Sequence, residues 1–318
     1  MCISNFKVMS RFLFKILLGT VIVCIIILAM NAVYVEMNKG DRYNTKKFSE
    51  IPARIQIANI GSSHGENGFA YDDLEEFHCF NFALSSQRLS YDIRIVENFK
   101  ENFDDGCVLF IPISYFSLYG KDEVDFADFR SKNKRYYTFL DKQYIKEYNF
   151  FDDLCVHRLP VLSAGLDMVR VFLGKSQDVW DEEWSKKIED EASLLKSAQN
   201  ASGRHFDPEE YGGEINENEV AALYDIISFC KENDIIPVMI TTPYLKEYTE
   251  LVSDQFYTEF YSKIEEVQER TGTAYFDYAK DVRFQNEWKL FRDADHLNKE
   301  GAIYFTNILK KEVVDTIK

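Results

Sequence analysis

Two short segments about 230 residues apart carry the residue types of serine acyl chemistry. The first is Asn59-Ile60-Gly61-Ser62-Ser63-His64, at the end of an apolar run. The second is Asp293-Ala294-Asp295-His296-Leu297-Asn298, just before the last amphipathic stretch. A serine hydroxyl is a weak nucleophile until a base takes its proton. His296 can be that base, and Asp293, three residues earlier in a turn, can hold the imidazole tautomer. Gly61 permits the tight turn that would lift Ser63 to the carboxyl edge of a sheet. There it would sit at the start of the next helix, whose free N–H groups favour a developing oxyanion. Either segment alone is weak evidence, because Ser-rich turns before helices are usually caps. Their joint placement, after the first strand and before the last helix, points to acyl transfer or ester hydrolysis.

The elements that must bring these segments together are legible as alternating strands and helices. Residues 55–60, 78–83, 107–112, 235–240 and 273–277 read as strands, the third a continuous apolar run of the buried parallel kind. Residues 90–103, 218–233 and 254–270 read as helices. Asn298 can cap a final helix over 299–315. This alternation predicts an α/β fold, a parallel sheet covered on both faces. Residues 116–215 interrupt the rhythm. They read as a helical insertion holding Trp180, Trp184 and a loop over Asn200–Phe206, either shaping a pocket at the strand ends or elaborating the fold elsewhere.

Ile16 to Val35 is a run of 20 uncharged residues, which as a helix is roughly 30 Å long and matches a bilayer core. It reads as an uncleaved anchor rather than a signal peptide, because no small-x-small site follows it. The organisation is then an N-terminal tip and anchor over 1–35, a polar linker over 36–52, and an α/β domain over 53–318. The first 35 residues hold three bases, Lys7, Arg11 and Lys15, and no acid. The other 34 bases face all 53 acids, a net of −19, which disfavours nucleic acid as a partner. Basic residues flank both ends of the span, so charge alone does not orient it. The aromatic content of 15% fits a large aromatic core. The six cysteines show no C-x-x-C and no metal-like clustering with histidine; Cys2 and Cys24 belong to the anchor region, and three of the other four read as buried free thiols, with a disulfide left open.

Gly61-Ser62-Ser63 after the first strand and Asp293-Ala294-Asp295-His296 near the C-terminus resemble the nucleophile and Asp-x-x-His motifs of the SGNH (GDSL-like) hydrolase superfamily. Ser62, where aspartate is common, makes the chain similar to the membrane-anchored D-alanyl-lipoteichoic acid biosynthesis protein D group. The resemblance covers roughly residues 53–115 and 218–316. It implies a flavodoxin-like three-layer sheet, with Ser63 as nucleophile, His296 as base and Asp293 as orienter. It also implies an oxyanion hole from Ser63, Ser86 and Ser114, in which Ser86 stands where glycine is usual and Ser114 where asparagine is usual. Losing one oxyanion donor typically raises the barrier by about 3–4 kcal/mol. His64 and Tyr115, beside these motifs, are candidate substrate contacts; the competing reading for His64 is a capping or packing role. Asp295 reads as solvated, and Arg204 and His205 as residues of a solvated loop. The resemblance further implies a single-pass cell-membrane protein with its domain outside the cytoplasm. Its partners would be a cell-surface glycan or teichoic-acid-like acceptor and a membrane-bound O-acyltransferase, with no metal or organic cofactor. The alternatives are a non-catalytic accessory protein on the same fold and a secreted lipase-like esterase.

Overall fold

The computed structural model describes residues 2–37, 45–120, 133–173, 183–207 and 213–317. The chain divides into two compact units. One comprises residues 1–49 and 127–179, the other residues 50–126 and 180–318. The insertion expected over 116–215 is therefore shared between them. Trp180 and much of the expected linker lie outside the described residues.

The larger unit is built on five parallel strands: β1 (Ile55–Asn59), β2 (Cys79–Asn81), β3 (Phe103–Pro112), β4 (Ile236–Thr241) and β5 (Ala274–Asp277). Their order is β2-β1-β3-β4-β5, the doubly wound arrangement in which strand order reverses beside β1. Asn59 pairs in register with Asn81 on one side and Phe110 on the other. The last six residues of β3 are all buried, as an apolar central strand requires. β3 also starts earlier than the apolar run announced. Its entry, Phe103-Asp104-Asp105-Gly106, is polar and only half-buried.

The helices of this unit are α2 (Ser63–Gly68), α3 (Leu89–Asn98), α4 (Glu191–Phe206), α5 (Glu217–Glu232), α6 (Asp254–Thr271) and α7 (Lys299–Leu309). The starts of α4 to α7 carry side-chain caps, each worth about 1 kcal/mol, while α2 and α3 have none. Asp190 accepts from the Ser193 N–H, Asn216 from the Asn218 N–H, Ser253 from the Phe256 N–H and Asn298 from the Gly301 N–H. α6 stops at Gly272, whose φ of 67° is the left-handed geometry of a helix terminator. α7 continues in a wider turn over Lys310–Val314 and closes at Asp315–Ile317. Asn200–Phe206, expected as a loop, forms the last two turns of α4, with Ala198, Ala201 and His205 on its buried face.

The smaller unit contains the long apolar helix Cys2–Met37, of which Val8–Met37 is long and apolar enough to cross a membrane. It also contains the short helix Thr45–Ser49 and irregular helical turns over 133–173, among them Leu166–Phe172. Cys24, Cys79, Cys107, Cys155 and Cys230 are all free thiols.

Candidate active site

The turn after β1 is fixed before Ser63 begins. Gly61 has a φ of 113°, and a side chain there would meet the Pro112 ring at 3.4 Å. Its N–H donates to Asp92 Oδ1 at 2.9 Å, and Gln87 Nε2 donates to the same oxygen at 2.6 Å. Asn59 Nδ2 and Asn81 Nδ2 each donate to the Gly65 carbonyl at 3.1 Å, which ties the strand ends to α2. Ser63 is thus the first residue of a short, clamped helix at the carboxyl edge of the sheet.

The second segment forms a narrow loop closed by the Phe291–Leu297 bridge and by the Arg292 N–H donating to the His296 carbonyl at 3.0 Å. Its tip is anchored from two sides. The Leu245 N–H donates to the Ala294 carbonyl at 3.1 Å, and the Ala294 N–H donates to Ser197 Oγ of α4 at 2.9 Å. This loop carries His296 to Ser63: the Nε2–Oγ distance is 2.8 Å. On its other side, His296 Nδ1 lies 2.8 Å from Asp293 Oδ1, which also accepts the His296 backbone N–H at 2.9 Å. Arg292 joins Asp293 to the nucleophile's helix. Its guanidinium lies 3.4 Å from Asp293 Oδ2 and donates to Asn67 Oδ1 at 3.2 Å, while Asn67 Nδ2 donates to the Ser63 carbonyl at 2.7 Å.

Behind this line lies a second one that the residue pattern did not disclose. Asp295 is buried rather than solvated, because the narrow loop turns its side chain inward. Its Oδ2 sits 3.1 Å from His64 Nε2, and its Oδ1 sits 3.5 Å from His296 Nδ1 without a hydrogen bond. His64 Nδ1 in turn lies 2.6 Å from Ser114 Oγ and 3.1 Å from the Tyr244 hydroxyl. A carboxylate only accepts, so His64 is protonated at Nε2 and presents Nδ1 as acceptor. Ser114 Oγ–H donates to it. His205, expected in a solvated loop, is also buried. It stacks on Phe116 at 3.9 Å between ring centres, and its Nδ1 lies 2.8 Å from the Tyr248 hydroxyl.

The two expected substrate contacts are sealed from solvent. His64 is 1% exposed and spends both ring nitrogens on the buried network. Tyr115 is wholly buried, its ring packed edge-on against Tyr257 and Phe260. Ser86 has a φ of 57°, the left-handed region in which glycine is favoured, and is exposed. Ser114 was expected to offer its hydroxyl to an oxyanion, and that hydroxyl is engaged by His64.

Electrostatics separate the three histidines. Burial lowers His64, and its bond to Asp295 does not offset this, so it is neutral. Burial likewise takes His205 down to about 3. Burial also opposes charge on His296, but there Asp295 and Asp293 outweigh it and push the imidazole up to about 10. Burial would raise Asp295, yet the His296 charge and the His64 hydrogen bond hold it well below the usual carboxylate range. His64, Asp295 and His296 place ligand atoms within 4.8 Å of one another, a set able to hold a metal ion. As they stand, His64 Nε2 is committed to Asp295 and His296 Nδ1 to Asp293.

Residues 173–311 match the family model described as DltD protein, a stretch that includes Asp293 and His296 and ends near the close of α7. Over that stretch the chain is similar to the DltD proteins. A solved structure from Bacteroides fragilis NCTC 9343, provisionally described as an acylhydrolase, is 11% identical. The match covers 88% of this chain and 98% of that one, with a TM-score of 0.41, a likeness on which no conclusion about the site rests. No curated protein matches the chain.

Proposed function

We propose that this protein is a membrane-anchored serine esterase or O-acyltransferase, with Ser63 as nucleophile, His296 as general base and acid, and Asp293 as orienter. One observation carries the reading: Ser63 Oγ, His296 Nε2, His296 Nδ1 and Asp293 Oδ1 form an unbroken line with 2.8 Å at each hydrogen-bonding step. Both distances lie within the reach that proton transfer requires. Ser63 attacks the acyl carbonyl as its proton passes to His296 Nε2. The tetrahedral intermediate collapses when that proton is given to the leaving alkoxide, which leaves an acyl ester on Ser63. An acceptor hydroxyl then loses its proton to His296, attacks the ester and frees Ser63. The acceptor is water in hydrolysis and a sugar or polyol hydroxyl in transfer.

The likeness to the DltD proteins and the apolar N-terminal helix support an extracytoplasmic setting at a cell membrane. There the acceptor is a cell-surface glycan or teichoic-acid-like polymer, and the acyl group is supplied through a membrane-bound O-acyltransferase. A non-catalytic accessory role on the same fold is favoured by one observation, the engagement of the Ser114 hydroxyl by His64. A fluorophosphonate probe separates the two. Labelling of the wild type and none of Ser63→Ala is the result expected of the enzyme. No labelling of the wild type under any condition would overturn it in favour of the accessory role.

A further inference from the structure

The apolar helix Cys2–Met37 carries one amide side chain, Asn31, inside its uncharged run. An amide in hydrocarbon must find partners or it is strongly unfavourable. Asn31 finds both in the smaller unit: Nδ2 donates to the Arg158 carbonyl at 3.3 Å, and Oδ1 accepts the Val161 N–H at 3.2 Å. Around this pair, Tyr34 is 1% exposed and packs with Val161, Ala164 and Val171, flanked by Ile27 and Met168. At about 1.5 Å per residue, Ile27 to the end of the run at Val35 is roughly 12 Å. The segment 158–171 therefore lies alongside the last two-fifths of the run, a depth that belongs to the acyl chains and their boundary with the headgroups.

The other side of this segment is mostly apolar as well, Arg170 excepted. On the helix Leu166–Phe172, Met168 and Val171 turn toward the long helix, while Leu166 (82% exposed), Val169 and Phe172 face outward, followed by Leu173. Leu162, Phe150 and Phe151 add to the exposed set. The helix also carries Asp167 and Arg170, and Arg170 is exposed; a long arginine stem can lie along acyl chains while its head stays at the headgroup level, so its apolar residues can still be withdrawn from water. The exposed face adjoins the exposed surface of Cys2–Met37, where Val23, Ile26 and Val33 are open. One covering medium thus accounts for both.

We propose that residues 158–173 form an elbow embedded in the outer part of one lipid leaflet, with Leu166, Val169, Phe172 and Leu173 among acyl chains. Phe150 and Phe151 lie at the interface. The protein is then held by two elements, a span and an elbow that satisfies the span's own polar residue.

Vesicle binding alone does not test this, because the span keeps the protein on the membrane in any case. The test is the full chain carrying Leu166→Trp, reconstituted in phosphatidylglycerol–phosphatidylcholine vesicles with or without acyl-brominated lipid, with the parent's emission subtracted. The expected result is that the added emission is lost in brominated vesicles and unaffected by aqueous iodide. Quenching by iodide alone overturns the proposal in favour of a water-facing surface. Quenching by neither overturns it in favour of a protein cover, a second copy or another chain. Val169→Trp gives the same reading if the first variant fails to fold.

Discussion

Replacing Asp295 with asparagine isolates the role of the buried second carboxylate. Asparagine keeps an oxygen to accept the His64 Nε2–H and removes only the charge, which stands 3.5 Å from His296 Nδ1. Two unit charges at 3.5 Å in an effective dielectric of about 20 interact by about 5 kcal/mol. At about 1.4 kcal/mol per pH unit, that is a ceiling of about 3.5 pH units on His296. Only neutral His296 can accept the Ser63 proton, so in the wild type the rate climbs with pH through about 10. In Asp295→Asn the climb moves to lower pH, by more than about 1 unit and less than the ceiling of about 3.5. The assay is the second-order rate of inactivation by a fluorophosphonate across pH 5 to 11, which needs no knowledge of the natural acyl group. A limb that stays in place, or moves to higher pH, would refute the claim that Asp295 acts on His296 through charge.

The same groups predict a stability maximum near pH 6.5, measured as the melting temperature of the full chain in detergent. Above 6.5 the folded state holds a proton on His296 that the unfolded chain releases, so stability falls as pH rises toward about 10. Below 6.5 the unfolded chain protonates His64 and His205 while the folded state keeps them neutral, so stability falls with acid too. A monotonic profile over pH 5 to 10 would contradict this. His205→Ala removes a ring stacked on Phe116 and its hydrogen bond with the Tyr248 hydroxyl, and denaturant melts should register a loss of about 2–4 kcal/mol. Gly65→Ala would set a methyl group 2.5 Å from the Ile60 carbonyl oxygen and 2.9 Å from the Ala83 side chain. The expected outcome is destabilisation of about 1–3 kcal/mol with lower fluorophosphonate labelling, because the turn holding Ser63 must shift.

The central strands of the sheet were legible because buried parallel strands read as continuous apolar runs, and Cys107–Pro112 is the plainest of them. Asn298 announced the last helix because a cap is a local device. The meeting of Ser63, His296 and Asp293 could be anticipated because each sits at a topologically defined place, a strand end or a turn before a helix. Asp295 and His205 were misread because burial is decided by partners far away in sequence. Asp295 meets His64 across 231 positions, and nothing local to either residue encodes that. His64 was read as a packing residue or a substrate contact, and the weight it carries in the buried network depends on Ser114 and Tyr244, which no spacing rule connects to it. The insertion defeated pattern reading for another reason. Its residues serve two units, and Val161, Ala164, Met168 and Val171 answer to a helix about 130 positions upstream rather than to the sheet.

The pairing of His64 with Asp295 latches the loop of His296 to the helix of Ser63 at a point the nucleophile does not touch. Deleting the hydroxyl of Ser63 therefore leaves the latch closed. On the proposed mechanism, a Ser63→Ala protein would keep His296 and Asp293 in register and turn over nothing, which makes it a bait for crystallising the chain with an uncleaved acyl donor in place.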